Sequence, residues 1–376
     1  MFAKPFNLIL VYILCIVNLL ILFLPFIIIA APIFIYDQNN FLKGLTDTAY
    51  LSFFLVSSIM LFYLFLDTIF GFTIWSLTKK CKNIKKYHKK YPYTLKISEN
   101  FSELQNSFAT KNIKLLIAKS SEVNAYAIGS IRRNIVVITL GLLAHVRKNA
   151  ASEEEFQTVI KCIMAHEISH LVNKDFLPAL LLFANQKATS IVAKIFGFFF
   201  NSLIRLVYTI PFIGSLITSL ILLIHKITKF LLNFFFRFIL VKIFNFLKLY
   251  VSRNNEFRCD YQAAKACGGA NMANALTYLG NNGYFTIFSS HPRTISRIRH
   301  VQNVQITSKK VRASFINRIS NFSSILILFI LLDISWNYVN KLEYLNIKTN
   351  MTVNNIMTKQ KYYLNIISDN LKELLK

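Results

Sequence analysis

Met164-Ala165-His166-Glu167-Ile168-Ser169-His170 closes an apolar segment with helical spacing. Upstream, Ser152 with Glu155 three residues later forms a capping box ahead of Phe156, Val159, Ile160 and Ile163, a pattern that opens helices. The spacing therefore predicts a helix from residue 152 past residue 170. On a helix, positions i and i+4 differ by about 40° around the axis, so His166 and His170 aim their imidazoles at one point. Two neutral ring nitrogens so placed suit a tetrahedral Zn²⁺ ion. Glu167, one residue on, can reach the water that such an ion activates and serve as general base.

A catalytic zinc site needs a third protein ligand and an open position. Glu256-Phe257-Arg258-Cys259-Asp260 offers two carboxylates at i and i+4, on one helix face. These are the only acids between Asp175 and Asp333. One can bind metal while the other orients a ligand histidine from behind, and the spacing alone leaves open which does which.

Around these motifs the chain is unusually apolar. Of 376 residues, 54% are hydrophobic and only 16% charged, against about 25% charge in a soluble domain. An ordinary soluble globule and a disordered chain are both excluded. The net charge of +26 points to nucleic acid or an anionic membrane surface. No nucleic-acid-binding motif accompanies it, and the apolar runs assign it to the membrane. The five cysteines are scattered, odd in number and without a C-x-x-C, so they form neither a disulfide framework nor a cysteine zinc site; reduced thiols facing a cytoplasm are the simplest reading.

The organisation follows from the runs. Pro5 to Tyr36 are 32 consecutive uncharged residues, more than the roughly 20 a spanning helix needs. A second run, Thr48 to Thr78, is interrupted only by Asp67. Measured from a helix end at Thr78, Asp67 would sit near mid-bilayer, about 18 Å in, where an ionisable residue needs a partner or a function. Eight lysines between Lys79 and Lys96 then place residue 79 onward, and the N-terminus, in the cytoplasm. We thus expect two transmembrane helices in 1–78 and a cytoplasmic protease part with the H-E-x-x-H helix in 79–175. A membrane helical hairpin is expected in 176–250 and a second cytoplasmic part with the third ligand in 251–318. A fifth transmembrane or interfacial helix over 319–340 and a polar tail over 341–376 complete the chain. Strands are expected at 113–118 and 135–139, with a turn between, and a helix over about 255–280. The fold class is a mainly α integral membrane protein: transmembrane helices plus a cytoplasmic α+β zincin-type domain with a small β-sheet.

Five motifs in order carry a family resemblance. They are Asn124-Ala125-Tyr126-Ala127; Ile135 to Leu143 with Thr139, Gly141, Leu142 and Leu143; His166 to His170 with Asp175; Ser252-Arg253 with Glu256 and Asp260; and His291-Pro292 with Arg297. Over roughly residues 5–303 the sequence resembles the HtpX family of membrane-integral zinc metallopeptidases, relatives of the CAAX prenyl endopeptidases. The resemblance implies that His166, His170 and Glu256 bind one Zn²⁺, that Glu167 activates water and that Asp260 holds a ligand histidine. It further implies that His291 lies near the cleft, donating to the tetrahedral oxyanion, that Arg297 is structural and that Asn124, Ala125, Tyr126 and Ala127 pair with substrate as an edge strand. Cys259 and Tyr126 depart from the family's alanine and phenylalanine, and neither is expected to touch a ligand. Residues 304–376 lie past the family's usual end.

The expected function is that of a zinc endopeptidase acting on polypeptides, above all misfolded or unassembled membrane proteins, at the cytoplasmic face of a bilayer such as the bacterial inner membrane. The alternatives are a CAAX-type protease for lipidated peptides, which calls for more helices enclosing a chamber, and an inactive membrane scaffold, against which the intact motif speaks. No nucleic-acid partner is expected.

Overall fold

The computed structural model describes residues 5, 8–16, 38–234, 241–279, 292–307, 309–338 and 340–341. In chain order these form α1 (8–16), α2 (Gln38–Phe70), α3 (Phe72–Thr78), β1 (Cys81–Asn83), α4 (Tyr93–Ser107), β2 (Ile113–Ala118), β3 (Ala125–Gly129) and β4 (Asn134–Thr139). There follow α5 (Leu140–Asn149), α6 (Glu153–Val172), α7 (Leu177–Tyr208), α8 (Gly214–Phe234), α9 (Val241–Cys267), α10 (Gly269–Leu279), α11 (Thr294–Val301) and α12 (Phe315–Tyr338). The mainly helical fold with one small mixed sheet agrees with the class expected from the sequence.

Two large apolar cores lie among the described residues, with a smaller cluster on the other face of the sheet. One joins α4, the sheet, α5, α6 and α10 through Ile97, Phe101, Ile117, Val136, Phe156 and Met272. The other packs α1, α2, α7 and α12 through Val11, Met60, Leu64, Leu181, Ala184 and Leu328. Phe176 packs against both. Its ring presses on Gly129, where an added Cβ would stand 2.1 Å from the ring, so only glycine lets the seam close.

Among the described residues three helices are long and apolar enough to cross a membrane: Tyr50–Phe70, Leu177–Tyr208 and Phe315–Tyr338. On their outward faces Phe62, Phe65, Phe198, Phe322 and Phe329 are all more than half exposed, a surface that suits lipid and not water. The chain is a membrane protein. In α8 the apolar stretch Gly214–Ile227 is shorter. The expected helix at 319–340 starts four residues earlier, and Asp333 within it accepts from Asn337 Nδ2 at 3.3 Å. Most of the 5–36 run and the 341–376 tail lie outside the described residues.

The run from Thr48 to Thr78 is not one helix. α2 ends at Phe70, Gly71 turns in the left-handed region (φ 70°), and α3 restarts. Gly71 N donates to the Asp67 carbonyl at 2.8 Å, the bond that closes a left-handed helix C-terminus. Asp67 therefore lies one turn from the end of α2. It is buried, and its Oδ1 accepts from Thr73 N at 2.8 Å, so the carboxylate caps the new helix, where negative charge is favoured. From the turn between β3 and β4, Arg133 donates to the Phe70 and Ile69 carbonyls at 2.7 and 2.9 Å. The membrane helix is thus tied straight to the sheet.

The sheet order is β1-β2-β4-β3, with β2 and β4 parallel and both outer pairs antiparallel. Both strands expected from the sequence are present. Between them the turn expected at Arg132 and Arg133 is present, closed by Ser130 N donating to the Arg133 carbonyl at 2.7 Å, while Gly129 ends β3, the strand the resemblance implies at 124–127; β1 was not expected at all, since three residues are too few for a period-2 pattern. The helix expected over 255–280 is two helices, because Gly268 (φ 93°) breaks it. Gly269 then sits where a Cβ would meet the Val301 carbonyl at 2.2 Å.

The Gly71 joint yields a prediction. Gly71→Ala forces a side chain into a left-handed position, costing about 1–2 kcal/mol, and crowds Arg133 Nη1, 2.5 Å from the new Cβ. Thermal unfolding in detergent should show Gly71→Ala destabilised, with Arg133→Ala adding less in that background than alone; strict additivity would mean the two residues are not coupled.

Candidate active site

α6 is the buried axis of the site. Ser152 Oγ accepts from Glu155 N at 3.1 Å, as the capping-box spacing predicts. The Glu155 carboxylate accepts from Ala151 N at 2.8 Å and from Asn274 Nδ2 and Tyr278 Oη at 2.9 Å each. The Asn274 bond, helped by the other two, holds its carboxyl below the usual range and ties the start of α6 to α10. At the far end, Lys174 turns left-handed (φ 53°), Asp175 N donates to the His170 carbonyl and Lys174 N to the Leu171 carbonyl, both at 3.0 Å. This paired closure folds the chain back so that the Asp175 side chain meets the His170 ring.

His166 and His170 face each other as the i, i+4 spacing requires, with their Nε2 atoms 3.1 Å apart. α9 brings the Glu256 carboxylate to 3.6 Å from His166 Nε2 and 3.5 Å from His170 Nε2. The three donor atoms all lie within 4.8 Å of one another. Ligand atoms bound at zinc's usual 2.0–2.1 Å around a tetrahedral ion stand about 3.3 Å apart, so the trio fits such an ion, with one corner left open. Glu167, next to His166 on α6, is buried. His170, Asp175 and Cys259 form a second cluster, but Arg258 already occupies Asp175, which makes it a poorer cation site.

Each histidine is backed by an acid. His166 Nδ1 lies 2.9 Å from Asp260 Oδ1, close but off the line of a well-aligned hydrogen bond. His170 Nδ1 lies 2.8 Å from Asp175 Oδ2, and Arg258 in turn binds that oxygen. Such outer partners fix ring orientation and raise ligand basicity. Arg297 grips Asp260 in a fork, Nε to Oδ2 at 2.6 Å and Nη2 to Oδ1 at 2.7 Å, and stands 3.2 Å from Glu256 Oε2. Burial opposes ionisation of Asp260, but Arg297 and then His166 outweigh it and hold the carboxyl below its usual range. Arg297 thus reaches both acids of α9 and is more than a distant structural residue. The expectation that Cys259 touches no ligand is overturned: its Sγ lies 3.4 Å from His170 Nδ1. Asp175 and Arg258 carried no assigned role from the sequence, although Asp175 was visible five residues after His170.

β3 pairs with β4 on one side only and forms a sheet edge. Ala125 and Ala127 face the main core, whereas Tyr126 turns onto the opposite face with Ile74 and Leu116. Its hydroxyl stands 4.0 Å from Cys81 Sγ, and burial, with that thiol, pushes its pKa up to about 12. Asn124, just ahead of the strand, is pinned by Thr139. Its N–H donates to Thr139 Oγ1 at 3.2 Å, and its carbonyl accepts from Thr139 N at 3.1 Å and Oγ1 at 2.8 Å. His291 lies outside the described residues.

Comparison with known proteins meets this geometry. The protein named Protease HtpX of Buchnera aphidicola subsp. Schizaphis graminum (strain Sg) is 26% identical, the match covering 51% of this chain and 68% of that one. Protease HtpX of Pasteurella multocida (strain Pm70) is 26% identical over 50% of this chain and 65% of its own. A Protease HtpX homolog of Neisseria meningitidis (strain 053442) is 25% identical over 46% and 53%. The chain thus spans about half to two thirds of the length of these relatives. The crystal structure of S. mikatae Ste24p is similar at a TM-score of 0.36 and 17% identity, covering 72% of this chain and 65% of that one. Residues 94–305, from the first turn of α4 to just past α11 and including every paired site residue above, match the pattern of peptidase family M48, and the chain belongs to that family.

Proposed function

We propose that the protein is a zinc-dependent endopeptidase of the membrane, with His166, His170 and Glu256 as metal ligands and Glu167 as general base. The observation that carries this is the convergence of two imidazole Nε2 atoms and one carboxylate at 3.1 to 3.6 Å, beside a glutamate on the same helix. When bound, zinc would polarise a peptide carbonyl and lower the pKa of water. Glu167 takes a proton from the attacking water and passes it to the leaving amine. Asp260 and Asp175 hold the two imidazoles in the orientation that leaves both Nε2 atoms free to ligate. His291 is proposed as a donor to the developing oxyanion.

The substrate is proposed to be an extended polypeptide, added as a further strand along the free edge of β3 beside Asn124, Ala125, Tyr126 and Ala127. That mode takes its affinity from main-chain hydrogen bonds and so tolerates many sequences. This breadth suits misfolded or unassembled membrane proteins. We propose that the site faces the cytoplasm, supported by the lysines that follow α3 directly.

Three measurements test this reading. Metal analysis of the purified chain should give one zinc per molecule, and Glu256→Ala should drop well below one equivalent; full retention at unchanged affinity would remove Glu256 from the ligand set. Glu167→Gln should fold and hold zinc yet cleave an unfolded membrane protein about 10²–10⁴-fold more slowly, the usual worth of a general base; wild-type turnover would refute the mechanism. Of the five cysteines only Cys81 is not buried, so it alone should react with a membrane-impermeant maleimide. It should be labelled only after permeabilisation, and labelling in intact cells would invert the topology.

A further inference from the structure

α12 begins at Phe315, beyond the matched residues 94–305, yet it reaches the end of α6 that carries the histidine pair. Ser169, inside the H-E-x-x-H segment, donates its hydroxyl to Gln262 Oε1 on α9 at 2.6 Å. Asn173, at the end of α6, donates to the same oxygen at 2.7 Å and to the Ser169 carbonyl at 2.8 Å. Asn317 of α12 donates to Asn173 Oδ1 at 2.9 Å. Gln262 Nε2 donates to the Arg312 carbonyl at 3.2 Å. All four side chains are buried: Ser169 and Asn173 at 0% exposure, Asn317 at 2% and Gln262 at 9%.

We propose that Asn317 is a positioning residue. Through Asn173 and Gln262 it locks α6 to α9 and so sets how far His166 and His170 stand from Glu256. This rests on the metal-site reading above and extends it to a segment outside the family match. The physical reason is directionality. Apolar packing between two helices tolerates small slides, whereas a buried, satisfied polar network has one register. Ser169 adjoins His170, and Gln262 lies two residues past Asp260, so a slip in the network moves ligands on both helices. Asn317, at 2% exposure, and the Arg312 carbonyl close the network from the C-terminal side.

The test uses the full chain in detergent or nanodiscs. Asn317→Leu keeps the volume and removes the donor. Ser335→Ala, elsewhere on α12, removes a hydroxyl that donates only to the Leu331 carbonyl of its own helix. Asn317→Leu should weaken zinc binding about 2- to 30-fold in chelator competition, the range for network residues that touch no ligand. It should also shift the d–d absorption of the Co²⁺-loaded chain, lower kcat with KM unchanged, and speed amide exchange of the metal-free chain over residues 168–175. Ser335→Ala should change none of these. If Asn317→Leu does not accumulate, Asn317→Ser, which lacks the reach to Asn173, carries the same readouts. Unchanged zinc affinity and cobalt spectrum in an otherwise active protein would overturn the proposal and leave the protease reading intact. If the wild type bound no metal, the protease reading would fall, and exchange in the metal-free chain would still decide the clamp: unchanged protection over 168–175 overturns it.

Discussion

Two carboxylates buried on one face of α9 set the terms for everything around them. Glu256 is 6% exposed and Asp260 is fully buried, and burying unpaired charge is prohibitive. Arg297 neutralises one of the two negative charges by contacting both acids. Asp175 and Arg258 cancel each other. Glu256 also stands within 3.6 Å of both histidine Nε2 atoms, so the same buried carboxylate that Arg297 contacts faces the two imidazoles of α6.

The supporting structure serves to hold α6 against α9. The closure at Lys174 returns Asp175 to His170. Glu155 pins the front of α6 to α10, and Arg297 arrives from α11 on the far side of α9. Phe176, directly after Asp175, joins the soluble core to the helix bundle. α6 therefore ends within a few residues of the place where the chain enters its apolar half, and no slack segment separates the histidine pair from the apolar helices.

Much of this was legible in the sequence because the decisive signals are local. The capping box at Ser152, the i, i+4 histidines and the i, i+4 acids are each set by helix period alone, and the structure places all of them as that period dictates. The β2 and β4 segments were legible for a similar reason, as short β-branched runs. Signals that depend on distant partners were not. Nothing near Arg133 says that it will cap α2, and nothing near Asn317 says that it will meet Asn173. Cys259 looked inert as a substitution for alanine, since the chain alone does not show that the neighbouring helix carries His170 past it. The end of α2 after Asp67 was missed because an apolar run reads as continuous, whereas one left-handed glycine was enough to end the helix.

The Arg133 tie has a mechanical side. Transmembrane helices tilt to match the thickness of the bilayer around them. In most anchored enzymes a linker would absorb that motion. Here the C-terminal end of α2 is held by an arginine on the turn between β3 and β4, and β3 is the strand with the free edge. A change in tilt would act on that turn as a lever acts on its short arm, turning a thinner or thicker lipid environment into a different height and pitch of the edge strand above the membrane.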